Sequence, residues 1–288
     1  MYKTANMYYR EKFGSKVYKL SLDAGFTCPN RDGKIDRRGC IFCTGSGEFA
    51  KSCKSDIVKA LEDAKKIVEK KNKSGKYIAY LQSYTNTYDK VENLRKIYYD
   101  AISPDYIVGL NIATRPDCIS DETLDLLSEI NFIKPVAVEL GLQTSNEDTA
   151  DYIRRGYKNS VYSDAVKRLR SKSIEVITHI IIGLPNETEQ DALNTTEVAV
   201  KRGTNGIKFH MLHVMKNTDL AYEYEKGTFK CLELEDYARI LKHCIDILPK
   251  DIVVHRITGD GAKSGLIAPL WSADKKRVIN YLNKYLND

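Results

Sequence analysis

No apolar run in this 288-residue chain approaches the length needed to cross a bilayer, so no membrane span is expected. The opening MYKTANMYYR has neither the apolar stretch nor the small-residue cleavage site of a secretory signal, which points to the cytoplasm. Linkers, internal repeats and low-complexity segments are also missing; the 17 glycines and 7 prolines are scattered at segment ends. That favours one domain over 1–288, and the length is sufficient for a single well-covered core. The Cys40/Cys43 pair has no second Cys-x2-Cys beside it, as a structural zinc site would usually want. An odd set of seven cysteines in a reducing compartment is poor material for disulfides and better suited to metal or cluster ligation.

What is present is a composition of 42% hydrophobic and 29% charged residues, near that of soluble globular proteins, with a net charge of +6. That charge points weakly to an anionic partner such as nucleic acid. The lysine run at 65–76 reads as a solvated helix face. The start of the chain, with Arg10, Lys12, Lys16 and Lys19 beside Tyr2, Tyr8, Tyr9 and Tyr18, suits RNA better, because aromatic rings stack on bases and cations hold phosphates.

Short β-branched runs alternate with segments of helical periodicity, the mark of parallel βα units. Strands are expected at 17–22, 77–82, 106–112, 135–142, 175–182 and 207–212. Helices are expected near 56–69, 89–101, 121–129, 160–171, 188–202 and 234–248, with Ser120 a natural cap ahead of Asp121 and Glu122. A strand at 252–255 and a helix from about 273 to 285 close the chain. Six such units form an open doubly wound sheet or a complete or partial barrel, and in each case ligands gather at the carboxyl ends of the strands.

The loop after the first strand carries Cys28, then Cys40 and Cys43. Three thiolates suit a four-iron cluster that leaves one iron open, while a single zinc ion remains an alternative. Cys53 is a possible fourth thiol; Cys118, Cys231 and Cys244 read as ordinary small buried residues.

The run at 13–43 (FGSKVYKLSLDAGFTCPNRDGKIDRRGCIFC) resembles the opening of the radical S-adenosylmethionine (SAM) proteins of the YtqA/YhcC group, which includes a tRNA-modifying enzyme. The resemblance continues through Thr114-Arg115-Pro116-Asp117, the ELGLQT of 139–144, Gly183-Leu184-Pro185 and the HRITGD of 255–260. The eleven residues between Cys28 and Cys40 depart from the common Cys-x3-Cys-x2-Cys spacing, but match this group and resemble the radical SAM domain of the Elongator catalytic subunit.

The resemblance implies an α/β fold, a partial (β/α)6 TIM-like barrel of the radical SAM type spanning about 15–250, with a short C-terminal strand-helix extension at about 251–288. It implies a [4Fe-4S] cluster on Cys28, Cys40 and Cys43. Its open iron would chelate SAM, and one electron would release a 5′-deoxyadenosyl radical. An electron donor such as flavodoxin or ferredoxin is implied as well.

For SAM itself, Phe42 matches an aromatic position beside the adenine, and Gln82, Tyr84, Asn86 and Thr87 occupy the place of the usual Gly-Gly-Glu run, offering carbonyl oxygens and hydroxyls to an ammonium. Arg115 has a fork suited to a carboxylate or phosphate, or else to a salt bridge with Asp117 or Glu139. Glu139, Gly141 and Gln143 alternate, so they project to one side of a strand. By the resemblance Glu139 and Gln143 would hydrogen-bond SAM, and Arg155, ahead of Arg154, would bind its carboxylate.

His179, His210 and His213 read as core or rim residues and His243 as a helix-face residue, whereas His255, Arg256 and Asp260 end an apolar strand as substrate-side candidates. The substrate implied is tRNA, with 5-carboxymethylaminomethyl(-2-thio)uridine at the wobble position converted to the 5-aminomethyl(-2-thio) form. The alternatives are a radical SAM enzyme acting on a small metabolite and a zinc-stabilised RNA-binding protein.

Overall fold

The computed structural model describes residues 2–45, 50–52, 56–259, 261 and 264–287. Its strands are β1 (Lys3–Thr4), β2 (Tyr18–Asp23), β3 (Lys51–Ser52), β4 (Tyr77–Leu81), β5 (Ile107–Thr114), β6 (Val136–Gln143), β7 (Glu175–Ile182), β8 (Gly206–Met211), β9 (Val214–Met215), β10 (Val253–Arg256) and β11 (Leu266–Ala268). Its α-helices are α1 (Ala5–Phe13), α2 (Ile57–Val68), α3 (Val91–Ile102), α4 (Asp121–Ile133), α5 (Glu147–Tyr152), α6 (Asn159–Ser171), α7 (Glu189–Lys201), α8 (Asp219–Glu225), α9 (Leu234–Asp246) and α10 (Lys275–Asn287).

Nine strands form one sheet in the order β1-β10-β8-β7-β6-β5-β4-β2-β3, with neighbours parallel throughout. From β2 to β10 the spatial order follows the chain order, so the βα units wind one way into an open half-barrel. All six expected strands are present, displaced by no more than two residues at an end. The strand expected as part of a C-terminal extension is β10, and it joins this same sheet beside β8. The extension proper is β11, paired antiparallel with β9, followed by α10. The two-residue β1, too short to leave a periodic signal, covers the outer edge of β10.

Side-chain alternation explains where the core lies. Leu20 and Leu22 of β2, Leu110 and Ile112 of β5, Leu140 and Leu142 of β6, and Ile180 and Ile182 of β7 turn outward under the helices and are buried in the main hydrophobic core. The intervening residues turn into the barrel. There Lys19, Tyr80, Asn111, Glu139, His179 and Lys208 replace the aliphatic filling of a closed barrel. The helices stop and start on local chemistry. Ser120 caps α4 by accepting from Thr123 N at 3.1 Å, with Asp121 and Glu122 in its first turn, and Thr188 with Asp191 forms a capping box on α7. A second, smaller hydrophobic cluster holds Ile41, Ile153, Ile181, Leu184, Leu212 and Leu220. It lies under the cysteine loop and fixes that loop on the barrel.

Candidate active site

The cysteine loop is built from β2 outward. Ile41 is buried in the smaller core; its N–H donates to Ile153 O at 3.2 Å and its carbonyl accepts from Leu220 N at 3.0 Å. Burying such a side chain contributes about 1.5–3 kcal/mol, enough to hold Cys40 and Cys43 on either side of it in place.

The stretch between Cys28 and Cys40 is closed at its neck. Gly39 N donates to Asn30 O at 2.7 Å, while Cys28 O accepts from Arg31 N at 2.8 Å and Pro29 O from Ile35 N at 2.8 Å. Gly39 has φ of +78°, and a Cβ there would meet the Arg31 side chain at 2.8 Å, so glycine is required at the neck. Residues 31–38 form an excursion above it. Across the neck, the path Cys28-Pro29-Asn30-Gly39-Cys40 places three residues between the thiols.

Three further bonds converge on this loop. Asn30 is fully buried; its amide donates to Arg154 O at 2.7 Å and lies 3.5 Å from Cys40 Sγ. Gly45 N lies 3.3 Å from Cys43 Sγ, and the Arg31 guanidinium donates to Cys43 O. Burial pushes the Cys40 thiol up to about 11, with Cys43 adding to the shift, so the sulfur stays protonated until a metal displaces the proton. Among the described residues no three His, Cys, Asp or Glu side chains converge as ligands of a single metal ion do, which disfavours a zinc site on these thiols. Cys53 lies outside the described residues.

All three cysteines line a cavity of about 500 Å³ at the carboxyl ends of the strands, with Phe42, Gln82, Tyr84, Arg115, Glu139, Gln143, Arg155 and Arg256. Tyr84 and Gln143 hold left-handed backbones, φ of 58° and 64°, at the ends of β4 and β6. For non-glycine residues that conformation is uncommon, and it turns both side chains at the cavity wall. Several polar atoms in and behind the wall are buried with no partner in the chain: Asn30 Oδ1, Ser83 Oγ, Thr85 Oγ1 and Asn86 Oδ1. Buried oxygens normally find a partner, so this wall fits a polar ligand with amino and hydroxyl groups.

Asn86 and Thr87 stand behind the wall. The Asn86 amide donates to Ser83 O at 3.0 Å and Ala113 O at 2.8 Å, and Thr87 Oγ1 lies 2.6 Å from both Thr114 Oγ1 and Cys118 O. They tie the turn after β4 to the end of β5. Arg115 grips Asp117 with two bonds of 2.9 and 2.8 Å and donates to Arg155 O at 3.0 Å. Arg155 is 1% exposed, and its guanidinium donates to the carbonyls of Leu142, Thr144 and Tyr157, to Asn159 Oδ1 and to Glu147. Both guanidinium groups are committed to the chain itself; Arg154 pairs with Asp219.

Glu139, 1% exposed, is the hub of the interior. Its Oε1 accepts from Lys19 Nζ and Asn111 Nδ2, each at 2.9 Å, and its Oε2 from Tyr80 Oη at 2.8 Å, from His179 Nε2 at 2.9 Å and from Lys208 Nζ. Both oxygens are therefore engaged within the chain. Burial alone would raise this carboxyl, but Lys19, Lys208 and His179 hold it well below the usual range. Burial drops the Lys208 ammonium to about 7 despite Glu139, with Lys19 and Arg256 pushing the same way, and pulls the His179 imidazole down to about 4. Sequence reading missed Lys19 and Lys208 as interior residues. The available signal was that each alternates with buried apolar neighbours inside a strand.

The substrate-side candidates separate. Arg256 lines the cavity, whereas His255 is packed against the Tyr8 and Tyr9 rings at 6.3 and 5.9 Å, away from it; Asp260 lies outside the described residues.

A three-thiol loop after the first inner strand of an open parallel half-barrel, facing a polar cavity, defines a radical SAM type of site. The chain belongs to the radical SAM superfamily: the superfamily model matches residues 36–199 and the Radical_SAM C-terminal domain model matches 204–288. It is 43% identical to protein YtqA of Bacillus subtilis over 100% of this chain and 90% of that protein, and 39% identical to YhcC of Escherichia coli over 96% and 89%. It is 24% identical to the tRNA uridine(34) acetyltransferase of Methanocaldococcus jannaschii over 53% of this chain and 28% of that one. In fold it is similar to the archaeal Methanocaldococcus infernus Elp3, with a TM-score of 0.67 at 17% identity, covering 93% of this chain and 63% of that chain. The cofactors are those of the superfamily, a [4Fe-4S] cluster and SAM, and the protein is a radical SAM enzyme.

Proposed function

We propose that this enzyme modifies tRNA at the wobble uridine, converting 5-carboxymethylaminomethyl(-2-thio)uridine to 5-aminomethyl(-2-thio)uridine, with the chain acting as one domain. The observation that carries the reading is the likeness in sequence and fold to proteins acting at uridine 34 of tRNA, joined to the YtqA/YhcC group resemblance of the 13–43 run.

In this reading Cys28, Cys40 and Cys43 hold the cluster, and Phe42, Gln82, Tyr84 and Gln143 present the surface for SAM. When bound, the two cofactors supply one-electron abstraction of a hydrogen atom from an unactivated carbon. The chain's own residues position and enclose. Thr87 and Asn86 brace the turn that carries Tyr84, Arg115 and Arg155 lock the segment that carries Tyr157 against β6, and Glu139 fixes the interior polar groups.

Loss of the hydrogen from the glycine-derived methylene, oxidation to an imine and hydrolysis would release glyoxylate and leave the aminomethyl group. tRNA nucleosides from cells lacking the protein are the test: carboxymethylaminomethyluridine should accumulate and aminomethyluridine disappear. An unchanged profile would falsify the tRNA reading and favour a small metabolite. Aminomethyluridine formed in vitro without glyoxylate would reject the proposed route while keeping the product.

A further inference from the structure

The cavity is lopsided in charge. Among its described lining residues Glu139 is the one carboxylate, against the guanidinium groups of Arg31, Arg115, Arg155 and Arg256. Three of these have tasks within the chain: Arg31 on Cys43 O, Arg115 on Asp117 and Arg155 on backbone carbonyls. Arg256 stands at the opposite, inner side.

The strand register explains what surrounds it. His179 of β7 is paired with Lys208 of β8, and Lys208 with Arg256 of β10, so three basic side chains stand abreast on adjoining strands. Lys208 is 3% exposed and shares Glu139 with Lys19, so two lysines lean on one carboxylate before Arg256 is counted. His210, two residues beyond Lys208 on the same face, lines the cavity with its ring 5.0 Å from that of His179, and its Nε2 is buried without a hydrogen-bond partner. Like charges crowded in a desolvated interior are costly unless a further anion joins them, and an unpaired buried ring nitrogen costs about 1–3 kcal/mol. Lys208 already answers this crowding by falling to about 7, and burial holds His210 well below its ordinary value, so the imidazole is neutral and has a hydrogen-bond role open. The titratable and charged groups facing this corner are Lys19, Tyr80, Glu139, His179, Lys208, His210 and Arg256.

We propose that the inner end of the cavity is a carboxylate-binding subsite, in which Arg256 and His210 meet the acidic group of the substrate and the Lys19–Glu139–Lys208 network stands behind them as its cationic support. This deepens the wobble-uridine reading and rests on it for the identity of the acid, since the carboxymethylaminomethyl group ends in a carboxylate. The same chemistry admits a small amino acid derivative.

The test uses anaerobic, cluster-loaded protein with SAM bound and two anticodon stem-loop RNAs that differ in the wobble substituent, carboxymethylaminomethyl in one and methylaminomethyl, without the acid, in the other. Wild type should bind the acidic RNA about tenfold more tightly, the scale of one hydrogen bond to a charged group. R256Q and H210N should each cut that preference, R256K should keep most of it, and all three should bind the methylaminomethyl RNA as wild type does, which also shows that they fold. Equal affinity of wild type for the two RNAs overturns the subsite, as does a full preference retained by both R256Q and H210N. If neither RNA binds, the wobble reading falls and N-benzylglycine decides. Calorimetric binding that R256Q weakens keeps the subsite for a small acid, and no binding ends it.

Discussion

Replacing Glu139 by Gln removes the negative charge that Lys19 and Lys208 share while keeping the shape of the side chain. Two buried ammonium groups would then face each other with an amide between them. Breaking a buried pair in this way costs about 3–5 kcal/mol. Urea unfolding of E139Q should show that loss at neutral pH; a change under 1 kcal/mol would mean that water, not Glu139, screens the lysines. At this scale the sequence was half legible. The alternation of Glu139, Gly141 and Gln143 correctly put a carboxylate inside the barrel, because strand geometry alone determines which residues share a face. What that carboxylate touches was not legible, because its partners come from β2, β4, β5, β7 and β8, brought together only by sheet curvature. Lys19 was read with the basic N-terminal residues for the same reason. A lysine in a strand is ordinarily a surface residue, and only the lone carboxylate across the barrel makes burial tolerable.

Between β7 and α7 the turn carries Glu187, whose carboxyl donates to no partner but accepts from Thr144 Oγ1 at the end of β6. Burial raises this carboxyl from 4.5 to about 7, with nearby Asp191 adding to the shift. A folded-state value above the unfolded one means that the folded protein binds more protons in between. The contribution is fully present below about 4.5 and lost as pH rises through about 7. E187Q should therefore be more stable than wild type at pH 8, by on the order of 2 kcal/mol, and should flatten the stability profile between those values. Parallel thermal melts at pH 4.5 and pH 8 check it; an equal difference at both pH values would contradict the assignment. Among the elements, long periodic segments were legible and short ones were not. The six inner strands and their helices announce themselves by alternation and caps. The two-residue β1, β3 and β9 and the six- and seven-residue α5 and α8 have too few residues to show a period, and they form because neighbouring elements hold them.

For the molecule as a whole, the N-terminus closes the far side of the half-barrel. β1 covers the edge of β10, α1 sets Tyr8 and Lys12 on Glu175, and Tyr9 is buried against Phe13 and His255. His255 thus belongs to this plug and not to the cavity, although it adjoins Arg256 in sequence. Removing residues 1–13 should expose the β10 edge and the aromatic cluster, lowering the melting temperature by on the order of 10 °C, and should promote association seen by light scattering. A truncated protein that melts like the full chain and stays monodisperse would show that this closure is dispensable. The same segment was read from sequence as an RNA candidate for its cations and tyrosines; here Lys3 pairs with Glu11 and Lys12 with Glu175, so part of its charge is already used.

The neck between Asn30 and Gly39 changes how distance along this chain should be counted. Measured residue by residue, the first two cysteines are far apart; measured through one backbone hydrogen bond, they are as close as in the common motif. Positions 31–38 are consequently ornamental to the spacing of the thiols, and evolution can lengthen, shorten or recharge that excursion without disturbing them. Catalogues that recognise such proteins by counting letters between cysteines will overlook members whose excursion differs. A criterion that asks for an Asn-to-Gly pinch flanking the two thiols would group them by architecture instead.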